Sequence, residues 1–335
     1  MTFSLQAALE RLRGRGPLLL LPHDNPDPDA IAAALGLERL LATVGLQATL
    51  GYGGIIGRAE NRAMVRELGI VLVSIDELDF AQFPLIALLD TQPGAGNNSL
   101  PQHRAADIVI DHHAPSSGEF SAPWRDVRID AGATSSIVYG YLQELGLPLD
   151  PRTATAFLYA LKSETRDLGR EAGPMEQRAY MDLLPLADHQ KLDRIANPKL
   201  GREHFAAVER ALRAACCRGE LLTANLGELD YPDLVAEVAD LLLPFELIHW
   251  VFCVGQHNGT VFLSIRTDVP DAHAGELIRR VIGDRGSGGG HGLIAGGRLH
   301  QRVAGGAELA AVADQLIERL AEALRITASP SPLLE

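Results

Sequence analysis

Leu18-Leu19-Leu20-Leu21-Pro22-His23-Asp24-Asn25-Pro26-Asp27-Pro28-Asp29-Ala30 is the stretch that decides the fold. Its leucines, held between Pro17 and Pro22, make a run of strand length, and unbroken apolarity marks a strand buried on both faces, as in a parallel sheet. Polar residues follow at once, and helical spacing takes over from Ala30 to Val44. The same signature recurs twice: Leu85 to Leu89 runs into Asp90-Thr91, and Ile108 to Ile110 runs into Asp111-His112-His113. Ala48 to Gly51 is a weaker strand, and Arg58 to Leu68 reads as a helix. This alternation predicts an α/β fold with a doubly wound, mostly parallel sheet. Ligand sites in such sheets gather at the carboxyl ends of the strands, where all three polar clusters lie.

The length of 335 residues suggests two domains at roughly 100 to 200 residues each. Helical patterns continue over Pro151 to Thr165 and Met175 to Leu184. Weak periodicity then marks Pro185 to Leu200, bracketed by Pro185 and Pro198, as a linker. A second, smaller α/β domain is predicted beyond it. Its helices cover Phe205 to Cys217, Pro232 to Leu243, Ala272 to Ile282 and Ala307 to Leu324, and Leu221 to Leu226 is a strand. Ile248 to Val254 and Thr260 to Ile265 form a hairpin around a five-residue loop, Gly255 to Gly259. The expected boundaries are 1–185 for the first domain, 186–202 for the linker, 203–326 for the second domain and 327–335 for a frayed tail.

Lys and Arg number 30 against 43 Asp and Glu, a formal charge of −13 that argues against coating long nucleic acid. Three cysteines, Cys216, Cys217 and Cys253, make no disulfide framework or metal spacing and suit a reducing compartment. No early apolar run approaches the ~20 residues needed to span a bilayer, and the N-terminus lacks a basic-then-apolar signal pattern. The expectation is a cytoplasmic protein without membrane contact.

His23, Asp27 and Asp29 share a loop stiffened by two prolines. With Asp90 and Asp111-His112 arriving from neighbouring strand ends, carboxylates and imidazoles converge from three segments. Each piece alone has a plain alternative: Asp-x-Asp after a strand is commonly a turn or helix cap, and Asp90-Thr91 suits an Asx turn. Together they place several carboxylates close enough to repel unless a cation sits among them. Mixed imidazole and carboxylate ligands suit Mn²⁺, with Zn²⁺, Co²⁺ or Mg²⁺ as lesser options.

These motifs resemble those of the DHH phosphoesterase superfamily, whose name-giving triplet stands here as Asp111-His112-His113. Gly288-Gly289-Gly290-His291 with Ala295-Gly296-Gly297 is similar to the glycine-rich signature of the DHH-associated C-terminal domain, and the nearest likeness is to the nano-RNase and pAp phosphatase group. The resemblance implies two Mn²⁺ ions in a cleft between the domains. His23, Asp27 and Asp90 would hold one, and Asp29, Asp90 and His112 the other, with Asp90 bridging. A fourth ligand for the second ion is expected from an Asp-Thr motif, where this chain has Glu164-Thr165; Asp167 is the reserve. Asp111 would orient His112 through its other ring nitrogen, and His113 would contact the scissile phosphate. Two-ion sites of this kind serve in-line displacement at phosphorus without a serine or cysteine nucleophile, and no nucleophile elbow, Walker loop or dinucleotide fingerprint is present.

Gly286 to Gly290 can be read as a flexible loop or as an anion cradle with His291 as donor. Arg266 matches the family arginine that grips substrate phosphate, so Arg266, Gly289, Gly290 and His291 are the expected substrate contacts. The implied activity is a hydrolase, a nuclease of the oligoribonuclease type, releasing mononucleotides from short oligonucleotides and acting on pAp. Cyclic-dinucleotide hydrolysis and a weakened, nucleotide-binding regulatory role stay open, as does a homodimer.

Overall fold

In a computed structural model, described over residues 4–114 and 120–334, the chain divides into two units, Met1–Pro198 and Lys199–Glu335. The first unit runs α1 (Leu5–Leu12), β1 (Leu18–Pro22), α2 (Pro28–Ala42), β2 (Ala48–Tyr52), α3 (Ala59–Leu68), β3 (Val73–Ser74), β4 (Leu85–Leu89), β5 (Ile108–Asp111), β6 (Trp124–Val127), α4 (Thr134–Glu144), α5 (Pro151–Glu164), α6 (Pro174–Leu183) and α7 (His189–Ala196). Its six strands are ordered β3-β2-β1-β4-β5-β6, and every pair is parallel. The order reverses between β1 and β4, the point where such sheets open a crevice at their carboxyl edge.

The leucine run is explained by its two faces. Leu18 and Leu20 join Leu85, Ala87, Leu89, Ile108 and Ile110 in a core shared with Ile31, Val138 and Phe157 of the helices. Leu19 and Leu21 point the other way, onto Ile86, Leu88 and Val109, and are covered by Phe83 and Ala106. Each fully buried leucine is worth roughly 1.5–3 kcal/mol over an exposed one, so neither face tolerates a polar residue.

Residues 186–202, expected as linker, contain α7. Ile195 is fully buried in the first core, and Arg194 pairs with Glu67 of α3 at 2.7 Å. A short helix with one fully buried residue, flanked by the partly buried Leu192 and Ala196, leaves little periodicity to read. The strands β3 and β6 and the helix α4 are not expected from the sequence; the edge strands are short, and the α4 interior, with Ile137, Val138, Tyr139, Gly140 and Tyr141, is made of weak helix formers.

The second unit runs α8 (Arg202–Ala214), β7 (Cys216–Arg218), β8 (Leu221–Glu228), α9 (Leu234–Leu242), β9 (Trp250–His257), β10 (Thr260–Thr267), α10 (Ala274–Ile282), β11 (Gly286–His291), β12 (Ile294–Arg302), α11 (Gly306–Leu324) and β13 (Ser331–Pro332). Its seven-stranded sheet is ordered β11-β12-β10-β9-β8-β7-β13. Phe252, Val254 and Leu263 face a core with Ile278 and Leu316, while Val251 and Cys253 face another with Val235 and Val238.

Three local expectations change here. The β9–β10 connection is the two-residue turn Asn258-Gly259, both left-handed at φ 50° and 78°, as the Asn-Gly preference for tight hairpins dictates; Gly255 to His257 extend β9. The tail is not wholly frayed, because Ser331 and Pro332 pair with Cys217 and Cys216. The glycine run is a strand, not a loop: Gly286 to His291 pair along β12. Its glycines let α10 approach the backbone, since a Cβ on Gly275 would lie 2.1 Å from the Gly290 carbonyl oxygen. We expect Gly275→Ala to cost about 1–3 kcal/mol, read as a lower denaturation midpoint; an unchanged midpoint would refute this packing account.

Candidate metal centre

Strand register brings the motifs together. Pro22 pairs with Leu89 and Leu89 with Ile110, so the residues leaving β1, β4 and β5 emerge side by side. Asp27 is the N-cap of α2 and accepts the Ala30 N–H at 3.0 Å; Pro28 occupies the first turn, where no N–H is missed. Asp29, in the same turn, is buried at 1% exposure. Asp90 adopts a left-handed backbone, φ 59°, which aspartate tolerates better than most residues, and its own N–H is fixed on the Ile110 carbonyl at 2.9 Å.

Two imidazoles are posed alike. His23 Nδ1 lies 2.9 Å from the Asp24 carbonyl oxygen, and His112 Nδ1 lies 3.1 Å from that of Ala131. A carbonyl only accepts, so each Nδ1 carries the proton and each Nε2 turns inward. His23 Nε2 faces Asp27 Oδ1 at 3.7 Å and Asp90 Oδ2 at 3.5 Å. His112 Nε2 faces the other oxygen of the same carboxylate, Asp90 Oδ1, at 3.5 Å. A lone pair aimed at a carboxylate is repulsive unless a proton or cation lies between them. Burial opposes charge on His23, yet Asp27 and Asp90 push its pKa up to about 10. Donor atoms of His23, Asp27 and Asp90 lie within 4.8 Å of one another, as do those of Asp90, His112 and His113. Imidazole nitrogens and carboxylate oxygens on both sides of a shared aspartate fit divalent cations of the manganese and zinc kind.

The expected partner of Asp111 changes. Its Oδ1 accepts from His113 Nδ1 at 2.8 Å and from the His112 N–H at 2.9 Å, while His112 Nδ1 goes to Ala131 instead. Asp111 therefore orients His113, because the Ala131 carbonyl already accepts the His112 Nδ1 proton. Gln92 donates to Asp111 Oδ2 at 2.6 Å and to the His113 carbonyl at 3.0 Å. Burial would raise the Asp111 pKa, but His113 and Gln92 hold it below the usual carboxylate range. Burial likewise opposes charge on His113, and Asp111, Asp90 and Glu164 push it up to about 10.

Asp29 is held by the start of α4. Its Oδ2 accepts the Thr134 N–H at 2.7 Å and its Oδ1 the Ser135 N–H at 2.9 Å. Thr134 Oγ1 also donates to Asp90 Oδ1 at 2.7 Å. Burial, then the charges of Asp90, Asp27 and Glu164, raise the Asp29 pKa well above the usual value. Glu164 ends α5 with its side chain 15% exposed and 3.9 Å from Arg170, and its charge reaches both Asp29 and His113. The reserve Asp167 faces away: its exposed carboxylate is bonded to Lys162 at 2.6 Å and to Tyr180 at 3.0 Å. Thr134, Ser135, Gln92 and Arg58, whose charge helps lower the Asp27 pKa, escaped the sequence reading. Only the Thr-Ser-Ser run, a typical helix-start composition, could have signalled the first two.

The second unit holds the expected substrate residues. Arg266 is buried at 8% exposure and already donates to Asp240 of α9 at 2.8 Å and to Ser264 at 2.8 Å. Gly290 lies too close to β12 for a side chain, with a Cβ 2.3 Å from the Ile294 oxygen, whereas one on Gly289 would meet nothing within 4 Å. His291 closes β11; its side chain lies outside the described residues.

A parallel sheet with imidazoles and carboxylates that could hold a metal ion grouped at its switch point defines an α/β domain with its site at the carboxyl edge. Over residues 17–162 the chain carries a segment of the DHH family, matching the model of that family's N-terminal domain. It is 34% identical over 287 residues to the uncharacterized protein MJ1633 of Methanocaldococcus jannaschii, covering 85% of this chain and 58% of that one. It is 28% identical over 313 residues to the cyclic-di-AMP phosphodiesterase GdpP of Geobacillus thermodenitrificans, covering 87% of this chain and 46% of that one. A "Probable manganese-dependent inorganic pyrophosphatase" of Deinococcus radiodurans is 31% identical over 155 residues, covering 44% of this chain and 46% of that one. The chain thus spans about half the length of these curated relatives. Among the described residues no helix is long and apolar enough to cross a membrane.

Proposed function

We propose that this chain is a manganese-type, two-metal phosphoesterase that hydrolyses short oligonucleotides and dinucleotides to mononucleotides, with pAp as a further substrate. The observation that carries the reading is Asp90, whose two oxygens face two imidazole nitrogens at 3.5 Å, each ring committed through Nδ1 to a carbonyl. His23, Asp27 and Asp90 would hold one ion, and Asp29, Asp90, His112 and Glu164 the other. When bound, the ions would supply Lewis acidity and charge neutralisation for in-line displacement at phosphorus. His113 would be the catalytic hydrogen-bond donor. Asp111 accepts its Nδ1 proton at 2.8 Å, fixes the ring, and favours a protonated Nε2 that can donate to a phosphoryl or leaving oxygen. Arg266, Gly289, Gly290 and His291 are the proposed nucleotide contacts; Arg266 would then exchange or share its Asp240 bond.

A phosphodiester substrate is favoured over pyrophosphate because the phosphodiesterase relative matches along 87% of this chain and the pyrophosphatase along 44%. The same observation supports cyclic dinucleotides as the second reading. Purified protein with Mn²⁺ should be offered pApA, pAp, c-di-AMP and pyrophosphate, with products resolved by chromatography. AMP from pApA at the highest kcat/KM is the expected result. Faster opening of c-di-AMP would establish the second reading, and turnover of pyrophosphate alone, or of nothing, would overturn both.

A further inference from the structure

The carboxylates Asp29 and Asp90 come from different chain segments, yet one residue bonds both. Thr134, fully buried, gives its N–H to Asp29 Oδ2 at 2.7 Å and its hydroxyl to Asp90 Oδ1 at 2.7 Å. The next residue, Ser135, gives its N–H to the other Asp29 oxygen at 2.9 Å. These are the first N–H groups of α4, unsatisfied within any helix and backed by the positive end of its dipole. The Asp29 carboxylate thereby gains two donors, where Asp90, Asp27 and Glu164 would otherwise only repel it.

The turn carrying Thr134 is itself anchored. Glu176 of α6 has no exposed surface. Its Oε1 accepts the Gly132 N–H at 3.0 Å and the Ser136 hydroxyl at 2.6 Å, bracketing Thr134 on either side. Its Oε2 accepts the Gly173 N–H at 2.8 Å, capping α6. Fixed on both flanks, Thr134 cannot follow either carboxylate if that carboxylate moves.

We propose that Thr134 is a positioning residue of the centre, setting the separation and orientation of Asp29 and Asp90, with Glu176 as its anchor. The inference rests on the metal-centre reading above. Thr134→Val keeps the N–H and the shape but removes the hydroxyl bond to Asp90; Thr134→Ser restores it. Loss of partners behind metal ligands commonly costs about 10- to 100-fold in affinity or activity. Calorimetric titration with Mn²⁺ should therefore show at least a tenfold weaker Kd in Thr134→Val, with kcat lowered and KM for pApA unchanged, and a return toward wild type in Thr134→Ser. Glu176→Leu should weaken Mn²⁺ binding too, and combined with Thr134→Val the losses should be non-additive, because both act through one turn. Wild-type affinity in Thr134→Val, or strictly additive losses, would overturn the inference while leaving the centre intact. A wild-type protein that takes up no divalent ion would overturn the centre and Thr134's role together.

Discussion

Asp90→Asn is expected to abolish Mn²⁺-dependent turnover, by at least about 10³-fold, equivalent to roughly 4 kcal/mol of transition-state stabilisation. The size follows from Asp90 being the residue common to both donor groups: one substitution removes a charged oxygen from each proposed ion. Folding is a separate matter. An asparagine oxygen can still accept the Thr134 hydroxyl, but the variant loses the charge that helps hold His23 protonated in the metal-free protein. The metal response is therefore read for each protein against its own metal-free melting midpoint. Ligand held at 100 times its Kd adds about 2.7 kcal/mol, so wild type should gain roughly 5–10 °C with Mn²⁺ and Asp90→Asn almost nothing. A variant that keeps the wild-type thermal gain and turnover would show that Asp90 bridges nothing.

What the sequence made legible was whatever one short segment determines. The leucines of β1 and β4 announce a strand with two buried faces, and the polar residues behind them inherit their place from the sheet. Hence His23, Asp27, Asp90 and the Asp111-His112-His113 triplet could be gathered before any coordinates. Contacts fixed by segments far apart in the chain were hidden. The Asp29 clamp at Thr134 lies 105 residues away, and the Glu176 anchor on Gly132 comes from 44 residues further on. Asp111 pairing with His113 depends on where Ala131 places its carbonyl, which captures His112 Nδ1 at 3.1 Å. The glycine run misled for a related reason. Isolated glycines suggest freedom, but here they permit α10 and β11 to touch, a constraint seen only once Gly275 faces Gly290.

The clamp makes Asp29→Asn the more discriminating substitution, because two effects oppose each other. The amide presents an NH₂ group to one of two backbone donors, Thr134 N–H or Ser135 N–H, and a buried unsatisfied donor costs about 1–3 kcal/mol. Against this, the variant removes a charge that burial and then Asp90, Asp27 and Glu164 all disfavour. A carboxyl whose folded pKa is raised contributes stability below its unfolded value of 3.8 and loses it as pH rises toward the folded value. In metal-free protein the penalty of Asp29→Asn should accordingly be largest near pH 4 and shrink or reverse by pH 8, followed as thermal midpoints in chelator. With Mn²⁺ present the relief vanishes, since the cation favours the charged carboxylate. Turnover should then fall about 10²-fold, in line with loss of a partner at a metal site, and the metal-induced thermal gain should drop to less than half. If metal-free midpoints of the two proteins ran parallel across this pH range, Asp29 would not carry the repulsion assigned to it. If the Mn²⁺ gain survived intact, it would be a helix-clamping residue alone, and the second ion would have to rest on Asp90, His112 and Glu164.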